Sequence, residues 1–213
     1  FSCKPCNPRR IGKLNEGRLP DTNLSEKYHI KINIDRAKTA ISDFTPRARC
    51  YDHYLRTPPW HRVEQAIVEL GSIDENDRVL DLACGTGFFL RHMQQSAYKC
   101  GVDICQSMLM RIPEKCNARK VRAHACMLPF HGDAFDVITC LGAINIFDDN
   151  EIELVFSEVK RVLDEHGRFI VNSPVAVSEP RWQDRMLHKI LYPPIKAHST
   201  ILSALSGCKT KIK

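Results

Sequence analysis

Long apolar runs and a secretory leader are missing from this sequence. No stretch approaches the roughly 20 apolar residues that a membrane-spanning helix needs, and the opening residues lack the pattern of a signal peptide. The first absence argues against a membrane-spanning protein, and the second against secretion by a leader within the given residues. With 213 residues, 43% of them hydrophobic and 26% charged, the chain has the composition of one globular domain with an appendage.

A second metal-binding cysteine pair is also missing. Cys3-x-x-Cys6 forms half of a zinc site, and because no other CxxC completes it we expect no metal centre. Whether these two cysteines bind zinc stays open. The ten cysteines are spread along the chain, and Cys84, Cys100 and Cys140 fall in or beside predicted buried strands, where cysteine packs as a small hydrophobe. We therefore expect free thiols in a reducing, cytoplasmic compartment.

Net charge is absent from most of the chain. Residues 1–50 hold 11 Lys and Arg against 5 Asp and Glu, and the rest of the chain holds the remaining 20 of each. The net charge of +6 therefore belongs to the N-terminal part. We predict a basic, partly disordered arm over residues 1–50, followed by a domain over residues 51–213. A basic arm can also follow the phosphates of a nucleic acid, so RNA stays an alternative partner.

Apolar strand patterns alternate with helical patterns after residue 50. The predicted strands cover residues 78–82, 99–103, 120–125, 135–141 and 168–172, and the predicted helices begin near residues 51, 88 and 106 or cover residues 150–163. This alternation predicts an α/β fold with a doubly wound, mostly parallel sheet. No closing hairpin is visible after Asn172, so we expect the sheet to lack its last strands. A ligand should bind outside the carboxyl ends of the strands, where the strand order reverses.

The turn after the first strand carries an acid and two glycines but no third glycine. In the stretch VLDLACGTGFFL, Asp81 lies in the strand, and Gly85 and Gly87 allow a tight turn close to a ligand. A dinucleotide site would have glycine at the position of Leu90, so its fingerprint is incomplete. Asp103 ends the second strand, and its carboxylate could accept hydrogen bonds from two ribose hydroxyls.

Five motifs in this order resemble the class I S-adenosylmethionine-dependent methyltransferases, in a pattern near the branch of menaquinone and ubiquinone C-methyltransferases. The motifs are VLDLACGTGFF, CGVDICQSML, AHACMLPF, FDVITCLGAINIF and EVKRVLDEHGRFIV. The resemblance implies a Rossmann-like fold, S-adenosylmethionine as cofactor and methyl transfer to an acceptor, most simply a small molecule. The acceptor itself does not follow from the fold.

The resemblance also distributes the cofactor over groups of residues. The acid and the glycine turn would bind the methionine moiety, the end of the second strand would bind the ribose, and the segments that follow would bind the adenine. An aromatic residue, Tyr51 or Tyr54, would close over the cofactor. The implied residues are Asp81, Ala83, Gly85 and Gly87 for methionine, Asp103 for ribose, Ile104, His124, Ala125 and Met127 for adenine, Leu141 below the methyl group, and Tyr51 above it.

His124 departs from the family pattern, because relatives commonly carry Asp there, where it accepts the adenine amine. A neutral imidazole has one acceptor nitrogen and could replace the carboxylate, so cofactor affinity would fall as pH drops through a histidine pKa near ~6.5. A side chain that turns to solvent is the alternative. His53, His61 and His131 are possible catalytic bases, but nothing in the sequence singles one out.

Two other functions stay open at this point. One is an RNA methyltransferase that uses the basic arm, and the other is a non-catalytic partner subunit that binds the cofactor. Because the crevice should be built from the strands, we expect deletion of residues 1–45 to leave cofactor affinity nearly unchanged. The acceptor, the oligomeric state and whether the chain is a fragment are left open by the sequence.

Overall fold

The computed structural model describes residues 32–56, 72–93 and 98–172. Five parallel strands form one sheet in the order β3-β2-β1-β4-β5. The strands are β1 Arg78–Leu82, β2 Tyr98–Asp103, β3 Ala118–Arg122, β4 Phe135–Cys140 and β5 Leu163–Val171. The chain moves outward from β1 through β2 to β3 and then returns to the other side of β1, so the strand order reverses between β1 and β4. The predicted doubly wound parallel sheet is confirmed.

The helices are short apart from the first and the last. They are α1 Ile34–Arg47, α2 Tyr51–Leu55, α3 Gln106–Leu109 and α4 Asp149–Val162, and single 3₁₀ turns cover Phe89–Arg91, Glu114–Cys116 and Ile144–Ile146. In the described parts of the chain, each helix is too short or too polar to span a bilayer.

The central strands form the core because both of their faces are covered. In β1 every residue after Arg78 is buried, as expected for a parallel strand with layers on both sides. Leu80, Leu82 and Ile138 are fully buried and belong to one hydrophobic cluster. Cys84, Cys100 and Cys140 are buried free thiols. Asp81 and Asp103 sit in this setting, so their carboxylates are held by a rigid, apolar sheet.

Helix α4 begins at a capping box. The side chain of Asp148 accepts a hydrogen bond from the Glu151 N–H at 2.9 Å, and the side chain of Glu151 accepts one from the Asp148 N–H at 3.0 Å. These bonds satisfy two N–H groups that the helix leaves unpaired. The buried stripe that follows includes Ile152, Val155 and Val159, so the helix packs on the sheet and brings Glu151 to the carboxyl ends of the strands.

Helix α1 lies within residues 1–50, which the sequence predicted to be a basic, partly disordered arm. Asn33 caps it by accepting a hydrogen bond from the Arg36 N–H at 3.0 Å. The Arg36 guanidinium donates to the Ile146 carbonyl at 3.0 Å, and Phe44 packs on a buried cluster that includes Cys105 and Met108. Within the predicted basic arm, Ile34–Arg47 therefore forms a capped helix that contacts the domain. Residues 1–31 lie outside the described part, so the domain boundary stays a prediction.

Three predicted elements differ from those observed. The helix expected from residue 88 is a single 3₁₀ turn in the described residues, Phe89–Arg91. Strand β3 ends at Arg122 rather than at residue 125, which leaves residues 123–125 as a loop. Strand β5 begins at Leu163, earlier than the predicted residue 168, because an irregularity in its pairing with β4 accommodates the polar segment between Leu163 and Arg168.

Candidate active site

A crevice lies at the carboxyl ends of the strands. Its walls come from α1, the first residue of α2, the turn after β1, the end of β2 and the loops after β3 and β4. Of the residues that the sequence predicted, the structure brings eight together there. They are Tyr51, Ala83, Gly85, Asp103, Ile104, His124, Ala125 and Leu141.

Three predicted residues do not line the crevice. Asp81 is buried in β1. Met127 lies in the loop after β3, where its N–H donates to the His124 carbonyl at 3.0 Å. At Gly87 a Cβ would lie 2.9 Å from Cγ1 of Ile112. Gly87 is therefore required by packing and by its positive φ of 71°.

Gly85 belongs to the crevice itself. Its φ is 54°, and its N–H donates to Oδ2 of Asp103 at 2.8 Å. A Cβ built there would lie 3.7 Å from the Tyr51 ring, so the aromatic residue lies over this part of the turn. The turn after β1 and the end of β2 are thus joined directly by one hydrogen bond.

Asp103 is held by backbone donors on both oxygens. Oδ1 accepts from the Cys105 N–H at 2.7 Å, and Oδ2 accepts from the Gly85 N–H at 2.8 Å. Burial raises the pKa of this carboxyl, and the backbone hydrogen bonds oppose that rise. Each carboxylate oxygen can still accept a second bond. The fixed carboxylate at the crevice wall is therefore suited to a pair of vicinal hydroxyls.

Asp81 carries a carboxylate oxygen without a partner. The Thr139 hydroxyl donates to Oδ1 at 2.7 Å, whereas Oδ2 is buried and has no hydrogen-bond partner among the described residues. Burial raises the pKa of Asp81 to about 7; the Thr139 hydrogen bond opposes this, and the charge of Asp103 adds to it. A buried acid of this kind favours a cation, which would stabilise its charged form.

Tyr51 is fixed above the glycine turn by its neighbours. Its ring centroid lies 6.1 Å from that of Phe44 in an edge-to-face arrangement, and burial raises its pKa. The next residue, Asp52, accepts hydrogen bonds from the Thr86 hydroxyl at 2.5 Å and from Arg91 at 2.7 Å. These bonds attach α2 to the turn, and they bring Tyr51, rather than Tyr54, to the crevice.

His124 has a different hydrogen-bonding pattern from the one that the sequence suggested. Its Nδ1 accepts a bond from the Cys126 N–H at 3.3 Å, which leaves Nε2 as the protonated nitrogen of the neutral ring. Nε2 lies 3.9 Å from Oε1 of Glu151. Burial lowers the pKa of His124 to about 4, so a titration near pH ~6.5 is not expected in the folded chain. The Cys126 N–H therefore occupies Nδ1, the acceptor nitrogen of the ring. The other nitrogen, Nε2, is a hydrogen-bond donor.

Sequence reasoning missed the contribution of α1 and of α4. Arg36, Ala37, Ala40 and Phe44 line the crevice, and so does Glu151. The asparagine cap before an amphipathic segment could have indicated α1, but counting charge over residues 1–50 concealed it. Of the candidate bases, His53 and His131 are exposed and do not line the crevice. His61, Cys3 and Cys6 lie outside the described residues.

Comparison with known proteins agrees with this geometry. A family described as "Methyltransferase domain" matches residues 79–167. The ubiquinone/menaquinone biosynthesis C-methyltransferase UbiE of Teredinibacter turnerae is 32% identical over 169 residues, which cover 72% of this chain and 67% of that protein. The demethylmenaquinone methyltransferase of Thermus thermophilus is 33% identical over 139 residues, 62% of each chain. This chain spans between 43% and 62% of the length of four curated relatives that it matches.

A solved structure shares the fold at lower identity. It is a complex between the Trm112 methyltransferase activator of Haloferax volcanii and a methyltransferase, with a TM-score of 0.53 and 22% identity over 59% of this chain and 57% of that chain. The parallel sheet, the acid and glycine turn, the aspartate after β2 and the sequence relatives together identify the family. The chain belongs to the class I S-adenosylmethionine-dependent methyltransferases, with the sequence pattern of the branch that includes the menaquinone and ubiquinone C-methyltransferases.

Proposed function

We propose that this chain binds S-adenosylmethionine in the crevice and transfers its methyl group to a small-molecule acceptor. The observation that carries the proposal is the carboxylate of Asp103 at the crevice wall, joined to the Gly85 N–H at 2.8 Å. This pair links the second strand end to the glycine turn at the point where the strand order reverses. When bound, the cofactor supplies an electrophilic methyl group on a positively charged sulfur.

The residues present fit this cofactor. Asp103 accepts the ribose hydroxyls, and Ile104 and Leu141 offer apolar walls. Oδ2 of Asp81, which lacks a hydrogen-bond partner in the part of the chain that the structure describes, attracts the ammonium of the methionine moiety, directly or through water. Tyr51 presents an aromatic ring above the glycine turn, where a neighbouring cation would be stabilised by the ring face.

The catalytic contribution of this chain is alignment and exclusion of water. Helices α1 and α2 supply Phe44 and Tyr51 to the crevice wall, and they reduce its contact with solvent. Neither His53 nor His131 lines the crevice, so no base is assigned within the described residues. An acceptor that is already nucleophilic needs no base.

Two observations support a small-molecule acceptor. The crevice is concave and lined mainly by apolar side chains with a few polar groups, as is usual for small-molecule sites. Relatives at 32% and 33% identity are named for menaquinone and ubiquinone biosynthesis. The buried free thiols support a reducing, cytoplasmic compartment.

Methyl transfer from labelled S-adenosylmethionine to a cell extract tests the proposal. After incubation with the full chain, the label is followed through lipid, small-molecule, protein and RNA fractions. We expect label in the small-molecule or lipid fraction, and the Asp103→Ala variant should strongly reduce it. Label confined to RNA would contradict the proposed acceptor class, and no transfer to any fraction, together with no cofactor binding, would contradict the activity.

A further inference from the structure

Glu151 carries a buried carboxylate oxygen that the fold does not use. Its Oε2 accepts from the Asp148 N–H at 3.0 Å as part of the capping box, but Oε1 has no hydrogen-bond partner among the described residues. The side chain is 1% exposed and lines the crevice. An unpaired buried carboxylate oxygen is costly, so a ligand that donates to it would gain a strong bond.

His124 places a donor beside this acceptor. Because Nδ1 accepts from the Cys126 N–H, the neutral ring carries its proton on Nε2, which lies 3.9 Å from Oε1 of Glu151. That separation is too long for a hydrogen bond between them. The crevice therefore holds a donor and an acceptor side by side, each without a hydrogen bond to the other.

The carboxyl of Glu151 is acted on by burial and by several neighbouring groups. Burial raises the pKa of Glu151, and the nearby charge of Asp148 adds to the rise, whereas the Asp148 N–H, the Arg36 guanidinium and the Asn33 N–H oppose it without reversing it. Nε of Arg36 lies 3.7 Å from Oε2 of Glu151. The arginine thus sits on the capping side of the carboxylate and leaves Oε1 available.

We propose that Glu151 and His124 together recognise the Watson–Crick edge of the cofactor's adenine. That edge presents an amine donor next to a ring nitrogen that accepts, which is the complement of an Oε1 acceptor next to an Nε2 donor. An acid at the start of α4 would thereby accept the bond that the family resemblance assigns to the loop after β3. This inference rests on the proposed cofactor, and it assigns base specificity to Glu151.

The test compares S-adenosylhomocysteine with its 6-oxo analogue, in which a carbonyl replaces the amine and the ring nitrogen carries a proton. Calorimetric titration of the full wild-type chain should show a preference of about 100-fold for the adenine form, because the analogue would leave buried groups unpaired. In Glu151→Gln the Asp148 N–H keeps the amide oxygen on the capping side, so the amide nitrogen faces the crevice. We expect the preference to fall at least tenfold.

Glu153→Gln is the matched control, since it makes the same change on the exposed face of the same helix and should keep the wild-type preference. An unchanged preference in Glu151→Gln, or an equal change in the control, would overturn the inference while leaving cofactor binding intact. Failure of the wild-type chain to bind S-adenosylhomocysteine would instead overturn the proposed function, and this inference with it.

A second measurement does not depend on a variant. The analogue of S-adenosylhomocysteine with no substituent at the 6-position lacks only the amine, so the wild-type chain should bind it at least tenfold more weakly. Equal affinity would show that no group in the crevice accepts from the amine, and would overturn the assignment of Glu151.

Discussion

Two parts of the site differ in origin: the strand end, with Asp103 at the crevice wall and Asp81 buried in β1, and the helix end, where Glu151 and His124 come from α4 and the loop after β3. The first pair is fixed by parallel pairing, in which Asp81 lies opposite Gly101 two residues before Asp103. The second pair meets because α4 packs on the sheet and brings its first turn to the loop after β3. The strand end follows from the pairing of two strands that are consecutive in the chain, whereas the helix end depends on how α4 packs on the sheet.

The largest expected effect is at the strand end. Asp103→Ala removes an acceptor of two ribose hydroxyls, and hydrogen bonds to charged groups contribute roughly 1.5–3 kcal/mol each before water compensates. We expect affinity for S-adenosylhomocysteine to fall about 100-fold in calorimetric titrations. Asp35→Ala, at an exposed position of α1, is the control. A variant that binds as the wild type does would show that the strand end does not hold the ribose.

A second prediction concerns stability at the helix end. The folded pKa of His124 is about 4, below the value of ~6.5 in an unfolded chain. Between these values the unfolded state binds a proton that the folded state does not, so stability is lost as pH falls from 6.5 to 4. His124→Asn keeps an acceptor for the Cys126 N–H and removes the titration.

The difference between the two proteins isolates this effect. From pH 7 to pH 4 the wild type should lose roughly 2–3 kcal/mol more unfolding free energy than His124→Asn, measured by urea denaturation. Glu151, Arg36 and Asp148, which surround the site, are present in both. Exposed His131→Asn is the control and should follow the wild type. Parallel pH profiles for wild type and His124→Asn would mean that His124 is not buried as described.

Helix α1 supplies the third prediction, which reverses an expectation from the sequence. Deletion of residues 1–45 should weaken S-adenosylhomocysteine binding about tenfold, because Arg36, Ala40 and Phe44 line the crevice and burial of one large apolar side chain alone contributes roughly 1.5–3 kcal/mol. Phe44→Ala should reproduce part of the loss, whereas exposed Asp43→Ala should not. If the deletion variant bound with the affinity of the wild type, α1 would not contribute to the cofactor site.

The smallest effect is a pH dependence of affinity at the strand end. Asp81 attracts an ammonium only when ionised, and its pKa in the ligand-free chain is about 7. Affinity for S-adenosylhomocysteine should therefore rise with pH, by about tenfold between pH 6 and pH 7.5, and level off above that. Burial sets this pKa, the Thr139 hydroxyl lowers it and the charge of Asp103 raises it, whereas the neighbouring thiols of Cys84 and Cys140 have raised pKa values and stay neutral over this interval.

Asp81→Asn provides the comparison for this pH dependence. The variant should bind more weakly at pH 7.5 and show a flat profile over the same interval. If affinity changed equally with pH in the wild type and in Asp81→Asn, the pH dependence would come from another group. Asp81 would then not be the group that attracts the ammonium.

The contrast between the two ends also explains what the sequence could predict. Asp103 and Gly85 follow buried apolar strands, and strand order alone brings their positions to one edge of the sheet. Glu151 belongs to a predicted helix, but its role depends on the register at which α4 packs against the loop after β3. The hydrogen bond from Cys126 to His124 changes which nitrogen faces the crevice, and no spacing in the sequence encodes it.

The contribution of helix α1 to the crevice also could not be predicted from the sequence. Its apolar residues alternate with charges, so a charge count over residues 1–50 gives a basic segment and hides the helix. The contacts of Arg36 with Ile146 and of Phe44 with Cys105 and Met108 join residues far apart in the chain. Such contacts decide whether a helix lines a site or lies in solvent, and they follow only from the fold.

Calorimetric titration of the full chain with S-adenosylhomocysteine, and separately with NAD, tests the central claim most directly. The claim is that the glycine turn and Asp103 hold a nucleoside joined to an amino acid rather than a dinucleotide. We expect saturable one-to-one binding of S-adenosylhomocysteine, weakened in Asp103→Ala, and no measurable binding of NAD. Tight binding of NAD with no binding of S-adenosylhomocysteine would contradict the account.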